Sequence, residues 1–78
     1  MKTHYYSEVE KLTNYGRSLI GKIAQSRLFK EIDERGYEIL QPPQKITAFG
    51  IIDWMGEPTL MVTLGGESVF EDTVINIK

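Results

Sequence analysis

The side chains able to do acid–base or nucleophilic chemistry are few and scattered. The single histidine, His4, stands near the start of the chain and there is no cysteine, so neither a Ser/His/Asp nor a Cys/His arrangement can be assembled. The carboxylates of the C-terminal half are Asp53, Glu57, Glu67, Glu71 and Asp72. Asp53 and Glu57 flank one predicted turn, Glu67 lies in another, and Glu71 and Asp72 point to opposite faces of one strand. Acid–base catalysis needs paired groups whose surroundings push their pKa values apart. Nothing in these spacings gathers two carboxylates in an apolar pocket, and solvated acidic turns account for them. Gly65-Gly66 has the character of a hairpin turn and lacks the spacing of a phosphate-binding loop. The expectation is a protein that is not an enzyme, with no cofactor and no metal.

Two other groups point to binding. Lys11, Asn14, Ser18, Lys22 and Gln25 share one polar stripe of a predicted helix, with Arg17 at its flank, and from Lys11 to Lys30 there are five bases and no acid. Such a row suits a phosphate backbone, giving a nucleic-acid alternative carried by Lys11, Asn14, Arg17, Ser18 and Lys22. So few cations would hold a polynucleotide weakly and with steep salt dependence, and a solvated outer face explains them too. The second group is apolar and aromatic. Trp54 and Met55 sit at a turn beside Gly56, where bulky side chains can be presented outward, and Trp is enriched among residues that dominate interfaces; the alternative is that Trp54 simply ends the core. Tyr5, Tyr6 and Tyr15 dock either on the sheet end or on a partner.

The elements that must position these residues follow from periodicity. Ser7-Glu-Val-Glu10 has capping-box spacing, and Val9, Leu12, Gly16, Leu19, Ile20 and Ile23 then recur at helical intervals. Leu28, Phe29 and Ile32 fall out of that phase, which predicts a break or bend near residues 25–27 and a helical part spanning residues 7–36, stopped at Arg35-Gly36. Gly16 in the apolar stripe implies close approach of the helix to the sheet or to another helix; Gly21 has no evident reason beyond a possible bend. Tyr37-Glu-Ile-Leu40 reads as an extra edge strand, and two prolines then force a surface connection.

Residues 45–78 read as an antiparallel β-meander. Gly65-Gly66 supplies the two positive φ angles of a type I′ hairpin, pairing Leu64 with Glu67 and Val62 with Val69. The first turn is ambiguous in parity. A four-residue loop sets Phe49 and Ile51 beside Leu60 and Val62; a five-residue loop sets Ile46, Ala48, Ile52 and Trp54 there instead. The five-residue loop groups the apolar residues better and leaves Phe49, Ile51, Met61, Phe70 and Val74 as a second apolar cluster. One helix cannot cover both faces of a flat sheet. Either the sheet curls into a small barrel, or that cluster, with Trp54 and Met55, meets a partner.

Composition sets the remaining bounds. Seventy-eight residues suit a single small domain, of a size that hides only about 60% of its unfolded surface. Nine bases against eleven acids give a net charge of −2, divided as +1 over residues 1–44 (seven minus six) and −3 over residues 45–78 (two minus five). The cysteine-free chain suits a reducing setting, and no run approaches a membrane span, so a cytoplasmic protein with no membrane partner is expected. The fold class is α+β: an N-terminal amphipathic helix packed on a three- to four-stranded antiparallel meander. The expected function is a small protein-binding module, an inhibitor or adaptor of phage or mobile-element type, acting on a partner protein or as a homodimer.

Overall fold

The protein is described by a computed structural model covering residues 3–78, with side chains described from Ser7 onward. His4, Tyr5 and Tyr6 therefore lie outside the described side chains. The chain folds as α1 (Thr3–Leu19), β1 (Ile23–Ser26), β2 (Lys30–Ile32), β3 (Glu38–Leu40), β4 (Gln44–Trp54), β5 (Glu57–Leu64), β6 (Glu67–Phe70), a 3-10 turn over Glu71–Thr73, and β7 (Val74–Ile75). The class is α+β. A five-stranded sheet in the order β6-β5-β4-β1-β7 accompanies a separate two-stranded sheet of β2 and β3, so a count of three to four strands is too low. Each neighbouring pair runs antiparallel.

α1 is shorter than its sequence period suggests. It is already helical at Thr3, so Ser7 is an interior residue rather than a cap, and it ends at Leu19. Gly21 closes it: at φ 88° it takes the left-handed conformation that glycine adopts most cheaply, and the Lys22 N–H turns back to the Leu19 carbonyl at 3.0 Å. The Gly21 N–H donates to the Ile46 carbonyl at 2.8 Å, fastening the helix end to β4. The predicted helical continuation to residue 36 is replaced by β1 and the β2–β3 hairpin. Tertiary pairing overrides the local period, because β1 lies between β4 and β7 and buries Ala24 and Ser26.

Parity in the first hairpin is set by two devices. Met55 and Gly56, at φ 53° and 84°, form a two-residue turn, so Trp54 faces Glu57, Ile51 faces Leu60 and Phe49 faces Val62. The five-residue loop is thereby corrected. A β-bulge between Ile46 and Ala48 then shifts the register by one, so that Ile46 faces Leu64. Ile46, Phe49 and Ile51 thus share one face despite their mixed spacing. The second hairpin matches its sequence signal, with Leu64 opposite Glu67 and Val62 opposite Val69 across Gly65-Gly66.

The core lies between α1 and this face. Leu19, Ile46, Leu60, Val62, Leu64 and Val69 are buried, and Leu12, Phe49 and Ile51 pack against them. Gly16 lets the helix close on the sheet: a Cβ there would stand 2.5 Å from a carbon of the Phe49 ring. At the sheet's other end the buried Thr73 hydroxyl donates to the Phe70 carbonyl at 2.7 Å, so the Ser26 hydroxyl must be the donor in their 3.1 Å contact. The Ser26 oxygen accepts the Leu28 N–H at 3.2 Å. This chain of bonds ties β1 to the 3-10 turn.

The β2–β3 hairpin pairs with no strand of the larger sheet, and most of its residues are exposed. The radius of gyration, 14.5 Å, exceeds the about 11.5 Å of a compact chain of this length, in keeping with overall extents of 54 × 26 × 18 Å.

Candidate interaction surface

With α1 covering one face of β4, β5 and β6, the other is left without a layer. Alternation places Ala48, Gly50, Ile52 and Trp54 of β4 on it, facing Thr63, Met61, Thr59 and Glu57 of β5, with Ser68 and Phe70 of β6 beyond. The Trp54 and Phe70 rings meet edge to face, centroids 5.5 Å apart and planes at 67°. Met61 and Phe70 are half-buried, whereas Ile52 is 39% exposed, Trp54 53% and Met55, at the tip of the turn, 89%. A Cβ on Gly50 would meet no atom within 4 Å, so the floor beside this ridge is open.

The second cluster inferred from sequence therefore divides. Met61 and Phe70 do lie on the uncovered face, where they are joined by Trp54, which the five-residue loop would set on the core face, and by Met55 at the turn. Phe49, Ile51 and Val74 do not: Val74 is buried, and Phe49 and Ile51 pack against the core beneath α1. The bulge and the two-residue turn cause this exchange, and they bring Ile52 outward in place of the core position assigned to it. Ile20 and Ile23, placed on the apolar stripe by period, are 43% and 39% exposed because the helix ends before them.

Met55 carries a conformational cost. A non-glycine residue at positive φ is disfavoured by about 1–2 kcal/mol. Asp53 supports the turn by accepting the Gly56 N–H on Oδ1 at 3.0 Å, yet the Met55 side chain itself gains almost no burial.

The basic row is only partly realised. Lys11, Asn14, Arg17 and Ser18 are exposed on α1, while Lys22 follows Gly21 in the link to β1. Gln25 belongs to β1, where its amide donates to the Gln41 carbonyl and accepts from Asn76. Tyr15, also on α1, has its phenol pKa raised, by burial first and then by the charge and hydrogen bonding of Glu71. Among the described residues no group of three or more His, Cys, Asp or Glu is placed to hold a metal ion, and no helix is long and apolar enough to cross a membrane.

One exposed feature was only half legible in the sequence, which shows a strand at Tyr37–Leu40 but not the β2 strand that pairs with it. The β2–β3 hairpin presents Leu28, Ile32, Tyr37 and Ile39 to solvent. Its signal was Asp33 ahead of Gly36: Asp33 Oδ1 accepts the Arg35 and Tyr37 N–H groups, each at 2.9 Å, an Asx turn that a helical phase masks. Comparison of the chain with protein-family models, with curated proteins and with solved structures finds no match.

Proposed function

We propose that this protein is a small non-enzymatic protein-binding module whose binding surface is the uncovered face of β4, β5 and β6, with Trp54 and Met55 as its anchors. Its role on that reading is that of an inhibitor or adaptor, acting by occupying a partner's surface. The observation that carries it is Met55, an apolar side chain 89% exposed on a backbone conformation that glycine or asparagine would hold at lower cost. Strain at an exposed position is a cost to folding without a folding benefit. Trp54, half exposed next to it, adds the residue type most often dominant at interfaces.

Met55→Gly separates folding from binding. It should raise stability by about 0.5–1 kcal/mol, since the strain is relieved and no buried contact is lost. In affinity capture from the native cell, a protein retained by the wild type should be lost with Met55→Gly and with Trp54→Ala. Retention of the same protein by both variants removes this face from consideration. Lys11, Asn14 and Arg17, exposed in a row on α1, support nucleic-acid binding as a second reading. Under it, DNA or RNA affinity falls with salt and is lost on Lys11→Glu plus Arg17→Glu.

A further inference from the structure

The uncovered face has a one-signed border. Between Ile46 and Ile77 there is no Lys or Arg, and there are five carboxylates. Two of them border the aromatic ridge. Glu57 stands opposite Trp54 across the hairpin, and Asp72 comes two residues after Phe70, whose ring touches Trp54, whereas Asp53 alternates to the other side of β4 and Glu71 is engaged with Tyr15 of α1. Among the described residues the one ion pair is Lys30–Glu38, on the separate hairpin, and it involves none of these acids.

The geometry of the floor points to the shape of the occupant. β4 to β6 spans two strand spacings, about 9.6 Å, close to the about 10–12 Å width of a helix with its side chains. Ala48, Gly50, Thr63 and Ser68 keep that floor low, and Ile52, Trp54, Met61 and Phe70 form a ridge at one end. An extended segment would instead pair at a sheet edge. We infer that the occupant is a basic amphipathic helix of a partner protein, its apolar side chains on the Trp54–Phe70 ridge and its Lys and Arg residues against Glu57 and Asp72. The sheet would then lie between its own helix and the partner's. This rests on the protein-binding reading above and supplies the partner's chemistry.

The test uses roughly 18-residue synthetic peptides, long enough to hold a helix. One has Leu and Lys at amphipathic spacing, one has Glu for every Lys, and one is the Leu/Lys composition scrambled. Trp54, the sole tryptophan, reports binding directly through its emission. The amphipathic Leu/Lys peptide should bind and shift that emission to the blue, with the other two weaker by at least about tenfold, or 1.4 kcal/mol. Gly50→Lys, whose side chain enters open space, should weaken binding by a similar factor with the far-UV circular dichroism unchanged. Equal binding of the Leu/Lys and Leu/Glu peptides, both lost in Gly50→Lys, overturns the basic chemistry and leaves the binding face standing. Leu/Lys binding untouched by Gly50→Lys overturns the assignment of this face. A doubled mass without peptide, abolished by Gly50→Lys, makes the occupant a second copy and overturns the inference.

Discussion

Gly16→Ala tests the contact that decides which sheet face is covered. Two effects compete. Removing a glycine from a helix interior is worth about 1 kcal/mol in favour of the folded state. Against that, the new Cβ would stand 2.5, 2.7 and 2.9 Å from three carbons of the Phe49 ring. Carbon pairs are comfortable at about 3.5–4.0 Å, so the ring or the helix must retreat by roughly 1 Å, and overpacking of this kind costs about 1–3 kcal/mol. The clash should win, leaving a net loss of about 1 kcal/mol and a Tm lower by about 4–8 °C for a domain of this size. In a Phe49→Ala background the ring carbons that form the obstacle are gone and the same substitution should be neutral or stabilising, a coupling of about 1–3 kcal/mol. Gly21→Ala is the control. It meets no atom within 4 Å but sits at φ 88°, so its cost should be backbone strain that Phe49→Ala leaves untouched. Urea midpoints at constant slope, followed by circular dichroism, measure the wild type and the five variants. Stabilisation by Gly16→Ala in the wild-type background, or a cost indifferent to Phe49, would mean that α1 does not lie over Phe49. The case for the opposite face being open would fall with it.

Two further outcomes follow from buried or shielded polar groups. Thr73→Val keeps the shape of the side chain but removes the oxygen that accepts from the Ser26 hydroxyl, which is only 2% exposed. It should cost about 1–3 kcal/mol in the urea midpoint, and a neutral result would refute the donor assignment. Tyr15 titrates above its ordinary 10.0 in the folded state, first through burial and then through Glu71. A folded value raised above the unfolded one gives stability that is complete below about pH 10 and declines as pH climbs through the folded value. Tyr15→Phe should therefore flatten the alkaline limb of the stability curve; an unchanged limb would show that Tyr15 does not contribute to it.

Local chemistry alone determined a good part of this molecule. The α+β class, the N-terminal amphipathic helix, the close approach at Gly16, the Gly65-Gly66 hairpin with its register, and a strand in Tyr37–Leu40 were legible because each depends on neighbours a few residues away. Met55 could be placed outward for the same reason, since it belongs to a turn. Three matters were decided only by the tertiary structure. α1 stops at Leu19 because Gly21 reaches β4 through the Ile46 carbonyl and because Ile23–Ser26 finds partners in β4 and β7, both distant in sequence. The β2–β3 hairpin exists where a helical phase ran on, because Asp33 organises a turn whose value shows only once two strands close on it. And the two-residue turn at Met55-Gly56 exchanged Phe49 and Ile51 for Ile52 and Trp54 between the faces, while the one-residue bulge after Ile46 kept Ile46 on the core side. A strand's side chains alternate with period two, so a single inserted residue reverses everything beyond it, and no local preference records which of two near-equal registers the long-range pairing will choose.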